Sequence, residues 1–229
     1  MEAHVTTVDL GAEATLVTAV RTAFQQALAG EGKLDEAVLS LNGMSGRKYR
    51  LFINNLIGFL SDARYLEVGV WAGSTLCSAI DKNAVVALAI DNWSQFGGPA
   101  ATFFTNLAKF KHVNARVSFL ERDFRAVDYG SIGRFNVYLF DGPHSAEDQC
   151  DGVMLAQPAL DDQFVLIVDD WNWPQVRSGT MMAIRNAALT IDLQVEVRTT
   201  LDGSHAPVQG QNGDWHNCYF VAVMSKAKQ

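Results

Sequence analysis

The chain has 229 residues, enough for one sizeable α/β domain with some decoration and too few for two full domains. With 48% hydrophobic and 19% charged residues it is not a disordered chain, and its formal net charge of −7 argues against a nucleic-acid backbone as partner. No apolar run approaches the ~20 residues that would span a bilayer, and the N-terminus lacks a signal-peptide pattern, so a membrane partner is not expected.

Three helical segments come first. "AEATLVTAVRTAFQQALA" (12–29) places Leu16, Val20, Phe24 and Leu28 four apart, one stripe along a helix. "LDEAVLSL" is a short helix, and "SGRKYRLFINNLIGFLSD" (45–62) carries a mixed helical pattern. After Ala63 short β-rich runs alternate with helical patterns: "RYLEVG", "VVALAID", "RVSFLERD", "NVYLFDG" and "FVLIVDD". These runs are apolar along most of their length rather than alternating, as strands covered on both faces are. The helices between and after them are expected over 74–81, 99–111, 146–158 and 176–191. "LQVEVRT" and "NCYFVAVM", separated by a polar, glycine-rich stretch, read as an antiparallel pair closing the sheet. The expected fold is α/β: a doubly wound, mostly parallel, seven-stranded Rossmann-like sheet with a C-terminal antiparallel hairpin. Residues 1–62 form a helical cap within the same domain, and 63–229 form the domain proper. Cys77, Cys150 and Cys218 are odd in number, far apart and form no CxxC, so they read as reduced thiols of a cytoplasmic protein.

In a doubly wound sheet, ligands bind at the carboxyl ends of the strands. Each of the five strands ends in or just before a carboxylate: Glu67, Asp91, Asp123, Asp141 and the Asp169–Asp170 pair. Parallel strands put all of these on one rim. The first turn reads E-x-G-x-x-x-G-S-T, from Glu67 through Gly69 and Gly73 to Ser74 and Thr75. It is not a G-x-G-x-x-G dinucleotide fingerprint, because Val70 and Trp71 occupy positions that need small residues, and no GK[ST] of a phosphate loop is present. Asp91 follows the turn by about 20 residues, where a carboxylate can accept ribose hydroxyls.

This pattern, joined to "AIDNW", "FDGPHS" and "IVDDWNW", resembles the class I S-adenosylmethionine-dependent methyltransferases. Within them it looks like the methyltransferase domain 24 and macrocin- or catechol-type O-methyltransferase branch. The resemblance spans about 63–224. It implies that Glu67, Gly69, Gly73 and Ser74 cradle the amino-acid end of S-adenosylmethionine, that Asp91 holds its ribose, and that Asp123 and Phe124 meet its adenine. Asp141 also touches the cofactor on this reading. Trp93 covers the nucleoside and Trp71 lies near the sulfonium, or either is plain packing; both alternatives stay open.

Three clustered carboxylates without a counter-charge would repel one another, and a divalent cation resolves this. Asp141, Asp169 and Asp170 are therefore the candidate ligands for Mg²⁺ or another divalent ion, which would lower the pKa of an acceptor hydroxyl. The alternative has Asp141 on the cofactor and Asp169 or Asp170 capping a turn. His144, three residues past Asp141, is the candidate general base, with Asp141 beside it as a catalytic residue. The catechol-type branch usually carries a lysine there, so a metal ligand or a helix-capping neighbour of Ser145 are the other readings of His144.

Arg47, Lys48 and Arg50 form a small basic cluster, read as a solvated helix face before an anionic-substrate site. Trp171 and Trp173 are candidates for a substrate wall, and His205 and His216 read as surface residues of the last loop. The expected activity is O-methylation of a small hydroxylated metabolite, sugar or natural-product intermediate. A metal-independent N- or O-methyltransferase, another enzyme on the same fold, and a non-catalytic binding module are the competing readings. The expected partner is a small-molecule methyl acceptor, and the N-terminal helices are a candidate homo-oligomer surface.

Overall fold

The structure, a computed structural model, describes residues 3–9 and 15–227. Its centre is a sheet of eight strands: β1 (His4–Asp9), β2 (Arg64–Val68), β3 (Val85–Asp91), β4 (Ala115–Glu121), β5 (Phe135–Phe140), β6 (Leu160–Asp169), β7 (Thr190–Arg198) and β8 (Tyr219–Ser225). They lie in the order β1-β7-β8-β6-β5-β2-β3-β4. Strands β2 to β6 run parallel, β8 runs antiparallel to both β6 and β7, and β1 runs antiparallel to β7. The sheet is therefore mixed and has one strand more than the seven expected. The extra strand is β1, an edge strand of sequence "HVTTVD" whose side chains are all exposed.

Around the sheet lie α1 (Thr15–Leu28), α2 (Glu36–Leu39), α3 (Arg47–Phe59), α4 (Ser74–Ile80), α5 (Ala100–Phe110), α6 (Ala146–Ala156) and α7 (Pro174–Asn186). Residues 12–14 of the expected first helix lie outside the described residues. From β2 the chain winds through α4 and α5 toward β4. It then returns to β5 and winds the other way through α6 and α7. Because βαβ crossovers are right-handed, reversing the direction puts the two helix pairs on opposite faces. Helices α6 and α7 pack on each other, whereas α3 packs on α1 and α4. Residues 164–168 of β6 and 219–224 of β8 are wholly buried between these layers, which is why their sequences read as unbroken apolar runs. Of the α1 stripe, Leu16, Val20 and Phe24 are buried within the same chain, whereas Leu28 at the end of the helix is exposed.

The winding reverses between β2 and β5, which are direct neighbours. There the ends of adjacent strands diverge and leave a crevice, the usual place for a ligand in such a sheet. Among the described residues no helix is long and apolar enough to cross a membrane.

Candidate active site

The crevice is built from the turn after β2. Gly69 adopts φ +84° and Gly73 φ +83°, a region open to glycine at no steric cost. Gly69 is also pressed against the neighbouring strand end: a Cβ there would overlap the Asp141 carbonyl. The Gly69 amide donates to Ile90 O at 2.9 Å and the Asp141 amide to Val68 O at 2.8 Å, so three strand ends are tied together at this residue.

Asp91 locks the turn from the other side. Its Oδ2 accepts the amides of Val70 and Trp71 at 2.9 and 2.8 Å, and its Oδ1 accepts the Trp93 amide at 2.7 Å. An ionised carboxylate has about four lone-pair positions, so about one is left for a ligand hydroxyl. Behind the turn, Glu67 is buried and its Oε2 accepts the Tyr65 hydroxyl at 2.5 Å. Burial pushes its carboxyl up from 4.5 to about 8, against the opposing pull of the Tyr65 hydrogen bond, so it is predominantly neutral at pH 7.

In front of the turn opens a cavity of about 300 Å³. Gly69, Trp71, Asp91 and Phe124 line one part of it. Asp141, His144, Asp169, Asp170 and Trp173 line another. Ligand atoms of Asp141, His144 and Asp170 lie within 4.8 Å of one another. His144 Nε2 is 2.8 Å from Asp170 Oδ2, while the other oxygen, Oδ1, is buried and has no partner. Asp169 Oδ1 accepts the Asp170 amide at 2.6 Å, and the Asp141 carboxyl lies beside it. Burial first, and then the neighbouring negative charges, hold both acids well above the ordinary carboxylate range. An orphaned oxygen on buried Asp170, beside half-buried Asp141 and His144, is chemistry that a hard divalent cation fits.

Backbone strain gathers here too. Trp71 (φ +44°), Phe96 (+50°), Asp170 (+58°) and His216 (+51°) are non-glycine residues in the left-handed region, and all four line the cavity.

Ser74, Asp123 and Trp93, also expected at the site, do not line the cavity. Ser74 is buried, with its hydroxyl 3.0 Å from Ser45 Oγ. Asp123 caps the short turn after β4 by accepting the Arg125 amide at 2.9 Å, and leaves Phe124 as the lining residue. Trp93 stacks on Phe119 with ring centroids 4.7 Å apart and contacts Phe103 and Phe104, whereas Trp71 is the tryptophan on the cavity. Of the later pair, Trp171 belongs to the core, stacked on Phe220 at 4.5 Å with its Nε1 on Glu196, and Trp173 lines the cavity.

Two readings of the sequence are corrected. The basic cluster is not one solvated face: Arg47 and Lys48 are part-exposed and pair with exposed acids, whereas Arg50 turns into the interior. Arg47 forms a two-pronged pair with Glu36 at 2.8 and 2.5 Å, Lys48 pairs with Asp214 at 3.1 Å, and Arg50 is fully buried. Likewise His205 and His216 are not mere surface residues of the last loop, because both line the cavity. Nothing in their local sequence announces this; the folding of 199–217 back over the strand ends brings them there.

Residues 66–171 match the family described as methyltransferase domain. Among solved structures, TrmN from Thermus thermophilus superposes with a TM-score of 0.54 at 14% identity, over 83% of this chain and 52% of that one. The chain thus spans about half of TrmN's length. The O-methyltransferase from Bacillus cereus, in complex with SAH, gives 0.52 at 14% identity over 94% and 93% of the two chains. TomG from Streptomyces achromogenes, an O-methyltransferase in complex with SAM, gives 0.51 at 14% over 93% and 91%. No curated protein matches the chain. At such identities the superpositions establish the fold, and the matched segment covers just under half of the chain. Its central segment, residues 66–171, is thus that of a methyltransferase domain, carried on the α/β fold that the SAH- and SAM-bound structures share.

Proposed function

We propose that the protein methylates a hydroxyl oxygen of a small hydroxylated metabolite, sugar or natural-product intermediate, assisted by a divalent cation, Mg²⁺ first. The observation that carries this reading is that the Asp141–His144–Asp170 cluster opens into the same cavity as the Gly69 turn. S-adenosylmethionine, when bound, supplies a methyl group on a sulfonium. On this reading the Gly69–Gly73 turn receives its amino-acid end, with neutral Glu67 and Ser74 supporting the turn from behind. Asp91 accepts a ribose hydroxyl at its remaining lone pair and Phe124 packs on the base, while Asp123 and Trp93 hold their neighbours in place.

A divalent cation, when bound, supplies Lewis acidity that lowers the pKa of the acceptor hydroxyl. Asp170, through its orphaned oxygen, and Asp141 would hold it, with Asp169 beside both. His144 takes the hydroxyl proton at the ring nitrogen that Asp170 does not hold, and Asp170 orients the ring through Nε2. Held close and in line, the hydroxyl oxygen and the methyl carbon react with little further cost in orientation. A second reading has its own support: the ligand-like spacing of the three side chains suits His144 as a metal ligand, which would favour a softer ion than Mg²⁺. The three unpaired cysteines support a reducing, cytoplasmic setting.

Calorimetry with S-adenosylhomocysteine, in Mg²⁺ and again in EDTA, tests the reading. Micromolar cofactor binding with a separate Mg²⁺ isotherm that Asp170→Asn abolishes is the expected result. Cofactor binding with no metal response sinks the metal, and no binding in either buffer sinks the enzyme. His144→Gln separates the two histidine roles: a base leaves Mg²⁺ affinity in place, a ligand takes it away.

A further inference from the structure

We propose that His216 and Asn217 form a two-donor site for a second oxygen of the acceptor, a carbonyl-type oxygen of an aldehyde, ketone or carboxylate. The inference rests on the reading above that the cavity takes a hydroxylated acceptor, and it narrows which one.

The two side chains are fixed by backbone amides. The Gly210 amide donates to His216 Nδ1 at 2.9 Å, so Nδ1 carries no proton and the neutral ring holds its single proton on Nε2. The Ala206 amide donates to Asn217 Oδ1 at 2.9 Å, so the other end of that side chain is the NH₂ donor. His216 Nε2 and Asn217 Nδ2 then face each other at 3.4 Å. Both are donors, and that contact is not a hydrogen bond.

Two buried donors without an acceptor between them are costly unless something else supplies one. His216 is 6% exposed, Asn217 is 4% exposed, and both line the cavity. A single oxygen about 2.9 Å from each nitrogen closes a triangle over the 3.4 Å base with ordinary hydrogen-bond lengths. His216 sits at φ +51°, held there by its carbonyl accepting the Thr199 hydroxyl at 3.1 Å. The neighbouring walls are flat. Trp173 meets the His144 ring edge-on at 4.6 Å and the His205 ring edge-on at 5.3 Å. The acidic cluster, the flat Trp173 wall and the His216–Asn217 donors share one cavity, which suits a planar hydroxylated acceptor that also carries a carbonyl oxygen.

The test uses the whole protein with S-adenosylhomocysteine and Mg²⁺, titrated with catechol and with 3,4-dihydroxybenzaldehyde, which differ only in the carbonyl group. The aldehyde is expected to bind about tenfold more tightly, the size of effect that satisfying a buried donor pair produces. Asn217→Asp keeps the oxygen that Ala206 needs and replaces the donor by an acceptor for His216, so it removes the preference. Its melting temperature and cofactor affinity serve as the check on folding. Nitrogen NMR of the ¹⁵N-histidine-labelled protein must in addition show His216 as the Nε2–H tautomer. Cofactor and metal binding with no preference for the aldehyde, with no binding of either phenol, or with the preference intact in Asn217→Asp overturns this proposal and leaves the methyltransferase reading standing. The opposite tautomer overturns it as well. Absence of cofactor binding instead overturns the reading beneath it, and this inference falls with it.

Discussion

Gly69 meets two independent demands, a positive φ and contact with the Asp141 carbonyl, and no side chain satisfies both. Gly69→Ala is expected to lower stability by about 2–3 kcal/mol, the sum of left-handed strain and an overlap against backbone that cannot move aside. It should also abolish S-adenosylhomocysteine binding, because the turn and the Asp141 strand end separate together. Chemical denaturation and calorimetry on the same variant check both. Loss of binding with stability unchanged would mean that the turn tolerates a side chain and that the geometry described here is wrong. At this scale the sequence was readable wherever a residue ends a strand. Asp141, Asp169 and Asp170 are visible as the acids that close β5 and β6. His205 and His216 were not visible, because they sit in an irregular loop whose path no periodicity dictates.

At the scale of elements, Arg50 explains how the N-terminal helices are held on the sheet. Its Nη1 donates to the carbonyls of Val38, Leu39 and Leu41 at 3.0, 3.1 and 2.8 Å, and its Nε donates to Ser45 Oγ at 2.9 Å. Ser45 in turn meets Ser74 at the start of α4, so one guanidinium links α2, α3 and the segment leading into the cavity at Met44. Burial lowers the Arg50 pKa to about 10, which still leaves it charged at neutral pH. Arg50→Met, similar in length but without donors, orphans three carbonyls and is expected to cost about 3 kcal/mol in urea unfolding. Arg50→Lys should recover only part of that, since one ammonium cannot reproduce the planar fork. A cost below about 0.5 kcal/mol for Arg50→Met would show that these bonds do not hold the cap. In the sequence Arg50 looked like one of three surface cations, because charge alone does not reveal which face of a helix is buried. Strand β1 escaped for the opposite reason: both of its faces are exposed, so packing imposed no apolar pattern on it.

The molecule as a whole carries a pH dependence of stability set by its buried acids. Glu67 rises from 4.5 to about 8, and Asp141 and Asp169 also lie well above their ordinary value. Between the unfolded and folded values the native protein holds protons that the unfolded chain has released. Stability therefore falls as pH rises through this window, from about 4.5 to about 8 for Glu67. The metal-free protein is expected to melt at a lower temperature at pH 8 than at pH 6. Glu67→Gln, which keeps a neutral polar group against Tyr65, should flatten that slope. Mg²⁺ should oppose it in the wild type, with a stabilisation that grows toward pH 8 and is missing in Asp170→Asn. A metal-free protein that melts higher at pH 8 than at pH 6 would contradict the assignment of these acids as protonated.

The sequence by itself determined the α/β class, the succession of strands and helices after β1, and the line of carboxylates at the strand ends, because burial on both faces and the period of each element write directly into residue order. The glycine turn was legible for the same reason, since a positive φ demands a particular residue type at a particular place. Tertiary structure alone decided which side chains share the cavity. It turned Trp71 and Trp173 toward it and Trp93 and Trp171 away, tied Asp91 to the turn amides, and brought the 199–217 loop over the strand ends. Those choices depend on contacts between segments tens of residues apart, such as Asp91 with the Val70 amide and Trp171 with Phe220, and no local period records them.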